Sequence, residues 1–129
     1  MSDARTDSLY YLTTPIYYAS DVPHIGHAYT TIVGDAITRY ERLRRGAGQV
    51  YYLTGTDEHG EKIERAAAAC GPQPQAWVDR IADEYRQAWR DLNIQYDDFI
   101  RTTEPRHEQV VQDIWKRLVE RDEIYLGHY

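Results

Sequence analysis

A single cysteine, Cys70, stands in a chain of 129 residues. An internal disulfide is thereby excluded, and one thiol cannot alone supply a structural zinc site. Lysine is almost as scarce: there are only Lys62 and Lys116, both within stretches that read as helix. No apolar run is long enough to cross a bilayer, and Met1 to Ser8 is too polar for a signal peptide, so the expected location is the cytoplasm, away from membranes. Positive charge is in deficit. The net charge of −6 opposes nonspecific binding to a phosphate backbone, so the main docking surface for any RNA partner is expected elsewhere. Arg39, Arg42, Arg44 and Arg45 form the one dense basic cluster, at the end of a predicted helix where the helix dipole favours cations, and they read as a solvated cap. Internal repeats, low-complexity segments and long linkers are also lacking.

What is present is the composition of a folded domain, 42% apolar and 28% charged with 12 Tyr, in a length that allows one domain and one modest core. Residues 9–14, Leu-Tyr-Tyr-Leu-Thr-Thr, are strand formers that stop at Pro15. From about Gly26 to Arg45 the apolar positions Ile32, Val33, Ala36, Ile37, Tyr40 and Leu43 recur with helical spacing, and Gly46 and Gly48 end the helix. Val50 to Thr54 reads as a second strand. Strand, helix and strand at this connection length make a βαβ unit, with two parallel strands joined by a right-handed crossover. Helical patterning returns from about His59 to Cys70, where a small buried side chain closes an Ala-rich stretch, and Gly71-Pro72 breaks it. A helix over about Gln75 to Leu92 carries Trp77, Ile81, Tyr85, Ala88, Trp89 and Leu92 on one stripe, which reads as core without chemistry. Phe99 to Thr102 is a candidate third strand. Thr103 offers an N-cap with Pro105 in the first turn, and Val110, Val111, Ile114, Leu118 and Val119 stripe a last helix to about Arg121. Ile124 to Tyr129 looks extended.

Chemistry concentrates where the predicted strands end. Pro23-His24-Ile25-Gly26-His27 lies between a strand and a helix, so imidazoles and unpaired main-chain N–H groups fall where an anion could sit. Gly26 would let a flat ligand such as a purine approach the backbone. His24 and His27, three apart, would project to one side and donate to phosphoryl oxygens as charge develops during transfer. Asp57, in Thr54-Gly55-Thr56-Asp57-Glu58-His59-Gly60, leaves the second strand and would favour a substrate ammonium, although an ordinary helix cap accounts for it equally well from spacing. A metal site of His59 with His24 and His27 finds no supporting carboxylate or cysteine spacing. Ligands of parallel α/β sheets bind beyond the carboxyl ends of the strands, which is where these stretches converge.

Pro23 to Tyr29 resembles the HIGH signature of class I aminoacyl-tRNA synthetases. Thr14-Pro15-Ile16-Tyr17-Tyr18 and Thr54 to Gly60 are similar to stretches of the methionyl-tRNA synthetase family, and the resemblance runs from about Leu9 to the last residue. It implies an α/β fold: the first half of a Rossmann-like nucleotide-binding domain with a parallel sheet, incomplete. It also implies that His24, Gly26 and His27 bind ATP, with His24 and His27 catalytic, and that Ile16, Tyr18 and Asp57 bind methionine, Asp57 through the α-amino group. From composition alone, a strand end packing into the core accounts for Ile16 and Tyr18 as well. The implied reaction joins methionine to the α-phosphorus of ATP, accompanied by Mg2+, and then passes it from the adenylate to tRNA(Met).

The family also uses a lysine-rich KMSKS loop, zinc-binding knuckles in an inserted connective domain, and a helical anticodon-binding domain, none of which is found here. Residues 1–129 therefore read as the N-terminal part of the catalytic domain of a longer enzyme, ending at the start of the connective domain and with little activity alone, and zinc is expected only in that domain. A small nucleotidyltransferase with a His-x-Gly-His turn, or a noncatalytic nucleotide-binding module, are the alternatives. The first does not explain the Ile16-Tyr17-Tyr18 and Thr56 to Gly60 stretches together.

Overall fold

The computed structural model describes residues 8–71 and 73–128, in the order β1 (Tyr10–Thr13), β2 (Tyr17–Tyr18), α1 (Ile25–Arg45), β3 (Val50–Asp57), α2 (Glu61–Cys70), α3 (Pro74–Asp91), β4 (Asp98–Arg101) and α4 (Pro105–Glu120). The readings of Met1 to Asp7, of the Cys70 side chain, of Pro72 and of Tyr129 lie outside the described residues. Strand β3 is central, and β1, β2 and β4 all pair with it in parallel. The carbonyls of Leu53 and Asp57 accept from the N–H groups of Thr14 and Ala19, whereas those of Tyr52 and Thr56 accept from Asp97 and Thr102. Alternate residues of a strand address opposite edges, so β1 and β2 share one edge of β3 and β4 lies along the other. The expected strands are thus all present, with β3 running three residues further than its apolar run, to Asp57.

Helix α3 packs its expected stripe inward. Trp77, Ile81, Tyr85 and Trp89, with Val78 and Ala82, form the core together with Ile63 and Ala67 of α2 and Tyr17, Tyr52 and Phe99 of the sheet. Leu92 is the exception, exposed because the helix ends at Asp91 and the chain turns away through a left-handed Asn93. The Trp77 indole donates to the Ala19 carbonyl at 2.8 Å and so fastens α3 to the end of β2.

Helix α1 reverses the usual rule. Its apolar stripe faces outward, with Tyr40 61% and Leu43 89% exposed, while Thr31, Gly34, Asp35, Thr38 and Glu41 face the sheet. Each inward polar group has a partner. Thr31 Oγ1 donates to the His27 carbonyl at 2.9 Å, Thr38 Oγ1 to that of Gly34 at 3.1 Å, and Asp35 accepts the Gln95 N–H at 2.8 Å and the Arg39 guanidinium at 2.6 Å. Satisfied polar groups are buried at little net cost, and small ones let the helix approach closely. At Gly34 an added Cβ would lie 2.4 Å from the fully buried Tyr52 hydroxyl. Gly34→Ala is therefore expected to lower unfolding free energy by about 1–3 kcal/mol, and Ile37→Lys on the apolar outer face to change it by no more than about 0.5 kcal/mol; urea titration of the two variants checks both. Helix α4 likewise leaves Val110, Val111, Ile114 and Val119 exposed. Its N-cap is Glu104 rather than Thr103, whose hydroxyl is drawn instead to Glu58.

The basic cluster is not a free patch. Arg39 and Arg42 reach the segment between α3 and β4, at the carbonyls of Asn93 and Gln95 and the Asp97 carboxylate, and Arg44 and Arg45 pair with Glu41. No described helix is long and apolar enough to cross a membrane.

Candidate functional site

The chain after β2 and the chain after β3 meet at the carboxyl edge of the sheet. Tyr18 pairs with Asp57 in register, and the Ala19 N–H donates to the Asp57 carbonyl at 3.0 Å. Alternation along β2 turns Tyr17 into the core and leaves Ile16 and Tyr18 exposed, so the residue that packs inward is the one between the two expected pocket positions. Asp57 closes β3 and caps no helix, since α2 begins at Glu61 behind Gly60. Among the described residues no hydrogen bond or ion pair engages its carboxylate.

At the other half of the site, His24 is the N-cap of α1 and His27 stands in its first turn. Although His24 itself is extended, the two rings stack with centroids 3.7 Å apart. They close a reciprocal cap in which the Gly26 N–H donates to His24 Nδ1 at 3.1 Å and the His24 N–H donates to His27 Nδ1 at 3.2 Å. Two of the main-chain donors expected to be open to an anion, the N–H groups of His24 and Gly26, are thus satisfied by the imidazoles. A lone pair on each Nδ1 places each ring proton on Nε2, so the histidines themselves carry the donors that a ligand would meet. Gly26 makes room for this arrangement, since a Cβ there would lie 2.9 Å from the His24 ring.

Three aromatic rings of the core back His27. Tyr17 lies 4.8 Å from it and stacks on Tyr85 at 5.6 Å, Tyr85 lies 5.3 Å from it, and Trp89 packs against both tyrosines. Burial against these rings, and then the neighbouring His24 charge, hold the His27 pKa below its ordinary value. Tyr85 was expected to be core alone; it is fully buried, yet its hydroxyl lies 3.1 Å from His27 Nδ1.

Glu58 is the residue that the sequence pattern passed over. Its carboxylate is fully buried and accepts from Arg101 at 2.7 and 2.9 Å, from Thr56 Oγ1 at 2.6 Å and from Thr103 Oγ1, while its own N–H donates to Thr102 Oγ1 at 2.9 Å. Arg101 also meets Asp79 of α3 at 2.6 Å, and that pairing holds the Asp79 carboxyl below its usual range. The loop after Asp57 is thereby locked to β4 and α3. An acidic residue beside a candidate ligand gives no hint in sequence of an arginine 43 positions away. His59 turns from the other histidines: its Nε2 is 3.3 Å from the Thr102 carbonyl, and it lines a depression of about 300 Å³ with His107, Glu108 and Val111. Among the described residues no three His, Cys, Asp or Glu side chains are grouped to hold a metal.

A parallel α/β sheet with a stacked histidine pair at the first helix N-terminus and an acidic strand end beside it defines a nucleotide-binding domain of the class I synthetase kind. The chain belongs to the methionyl branch: residues 10–129 match the family model of the class I (M) tRNA synthetases. It is 56% identical to the methionine–tRNA ligase of Halalkalibacterium halodurans, over 98% of this chain and 19% of that protein. With that of Streptomyces coelicolor it shares 53% over 93% of this chain and 22% of the relative. The Mycobacterium tuberculosis methionyl-tRNA synthetase, in a crystal structure bound by methionyl-adenylate, superposes with a TM-score of 0.89 at 44% identity, over 95% of this chain and 24% of that one. The LeuRS of Agrobacterium radiobacter K84, at 24% identity and a TM-score of 0.84, shares the fold. This chain thus spans about a fifth of the length of the curated relatives it matches.

Proposed function

We propose that this chain is the N-terminal part of the catalytic domain of a methionine–tRNA ligase acting in the cytoplasm, and that its site serves the activation of methionine. What supports the reading is the stacked His24 and His27 at the first helix N-terminus, with the His27 ring against Tyr17 of the strand whose next residue pairs with Asp57, in a chain of this family. A methionine carboxylate oxygen attacks the α-phosphorus of ATP, the bond from that phosphorus to the bridging oxygen breaks, and pyrophosphate leaves with the bond electrons. A carboxylate is ionised at pH 7, so the step calls for charge stabilisation and positioning and needs no base. His24 and His27 donate from Nε2 to the phosphoryl oxygens, and Gly26 keeps the first turn open to the nucleotide. Asp57 receives the substrate ammonium with an otherwise unengaged carboxylate, while the exposed Ile16 and Tyr18 give apolar and amphipathic contact to the methionine side chain. Mg2+ accompanies ATP as part of the substrate. The adenylate then passes methionine to tRNA(Met), a partner of the longer enzyme, and any zinc belongs to its inserted connective domain.

The test is methionine-dependent exchange of labelled pyrophosphate into ATP, by this chain and by the chain extended to the length of its relatives. Exchange in the extended protein and little or none in the 129-residue chain is expected. Activation of a different amino acid by the extended protein would refute the roles of Ile16, Tyr18 and Asp57.

A further inference from the structure

We propose that Thr14 and Thr54 are positioning residues for the methionine half of the site: their buried hydroxyl pair clamps a one-residue bulge at Pro15 and Ile16, and that bulge turns Ile16 and Tyr18 out of the core. The proposal rests on the reading of Ile16 and Tyr18 as methionine contacts, and deepens it. Thr13 pairs with Leu53 and Tyr17 with Thr56, so between those pairs the edge chain advances by four residues while β3 advances by three. One residue is therefore extra. Side chains alternate along a strand, so a shift of one residue exchanges its two faces. The burial pattern records the shift, since Thr14, Tyr17 and Ala19 are buried while Pro15 and Ile16, two residues in succession, are exposed. In an unbroken register Ile16 would pair with the fully buried Thr56 and face the core, and Tyr17 would pair with Asp57 and face outward. Bulges re-aim side chains in this way, often beside active sites.

Two features hold the extra residue in place. Pro15 has no N–H to give to the ladder, and proline within sheets is confined to edges and bulges. The Thr14 hydroxyl oxygen lies 2.8 Å from the Pro15 carbonyl and 2.7 Å from the Thr54 hydroxyl oxygen. Thr54 is fully buried, and among the described residues Thr14 is the one partner of its hydroxyl. The order of protons follows: Thr54 donates to Thr14, and Thr14 donates to the Pro15 carbonyl. A chain of hydrogen bonds thus runs from the central strand to the bulge. Thr14 is tied to the same strand through its N–H, which donates to the Leu53 carbonyl at 3.0 Å. Beyond the bulge β2 resumes for two residues only, Tyr17 and Tyr18, and so short a strand has few ladder bonds of its own to resist a slip.

Pyrophosphate-exchange kinetics of the extended enzyme test this. Thr54→Val keeps the branched shape and deletes the hydroxyl; it is expected to raise the KM for methionine about threefold to tenfold, the worth of one buried hydrogen bond, with kcat and the KM for ATP within about twofold. Thr54→Ser, which keeps the hydroxyl, should hold the wild-type KM. Thr14→Val should match Thr54→Val, and the double variant should be no worse than either alone, because the two hydroxyls act as a unit. Ile81→Val weakens the core of α3 without touching the bulge and should leave the methionine KM unchanged. In the 129-residue chain the Ala19 amide, which bonds Asp57 beyond the bulge, should exchange its hydrogen about threefold to tenfold faster in Thr54→Val, relative to the amides of α3. An unchanged methionine KM in an active Thr54→Val enzyme, additive losses in the double variant, or an equal rise in Ile81→Val would overturn the proposal. An extended wild type that performs no methionine-dependent exchange, with the Ala19 amide responding as expected, would instead overturn the functional reading and leave the clamp on the bulge standing.

Discussion

Glu58→Ala is expected to destabilise this chain by about 3–5 kcal/mol, measured as a fall in the midpoint of urea unfolding with the slope unchanged. The size follows from what the substitution leaves behind. The wild-type carboxylate is fully buried and answers Arg101, whose side chain is 14% exposed, together with the hydroxyls of Thr56 and Thr103. Alanine removes every one of those acceptors at once. Among the described residues Arg101 then retains Asp79 alone as a carboxylate partner, half exposed and screened by solvent. The desolvation of the guanidinium is then poorly offset, and the buried Thr56 hydroxyl loses its acceptor. A protein of this size holds a net stability of about 5–15 kcal/mol, so the loss would consume a large share of it. Glu58→Gln keeps an oxygen for Arg101 and should cost about 1–2 kcal/mol. A loss below about 1 kcal/mol in Glu58→Ala would show that the network does not hold the loop. In the extended enzyme the same substitution loosens Asp57, so the KM for methionine should rise more than kcat falls.

The contrast between Glu58 and α1 shows what a sequence carries. Elements with a single job were legible: the strand at residues 9–14, the α3 stripe of Trp77, Ile81, Tyr85 and Trp89, and the convergence of the two motif loops at one sheet edge. Those follow from periodicity and topology, which are local or nearly so. The period of α1 was legible as well, but its orientation was not. Ile32, Val33, Ile37 and Leu43 mark a helix face, and the pattern cannot state that Thr31, Asp35 and Thr38 find partners on the sheet side while the apolar side stays open. Satisfaction of buried polar groups depends on residues far along the chain, as Asp35 does on Gln95 and Glu58 on Arg101. At the candidate site the same limit applied. His24, Gly26, His27, Ile16, Tyr18 and Asp57 stood out through motifs, whereas the link from Tyr85 to His27 spans 58 positions and has no motif.

His27→Ala in the extended enzyme is expected to slow methionine-dependent pyrophosphate exchange about 100- to 1,000-fold, the loss typical of one donor aimed at developing transition-state charge. Methionine binding should change little, because the residues proposed to hold methionine are Ile16, Tyr18 and Asp57, so the effect should fall on kcat. Its pH dependence follows from the same geometry. Burial, and then the His24 charge, lower the His27 pKa, so the ring is mostly neutral at pH 7 and takes up its proton at lower pH than an ordinary histidine. The neutral ring already carries its donor on Nε2, because Nδ1 accepts from the His24 N–H. No charge is then lost from the ring as the pH rises from about 7 to 8, and the contribution of His27 should stay level there. A wild-type rate that fell across that interval, with the fall absent in His27→Ala, would show that the imidazolium is the working form. His27→Asn, which restores a neutral N–H donor on a shorter side chain, should recover about tenfold of the loss, since one hydrogen bond of that kind is worth roughly a factor of ten. Recovery with asparagine but not with leucine would assign the effect to the donor and not to the volume of the ring.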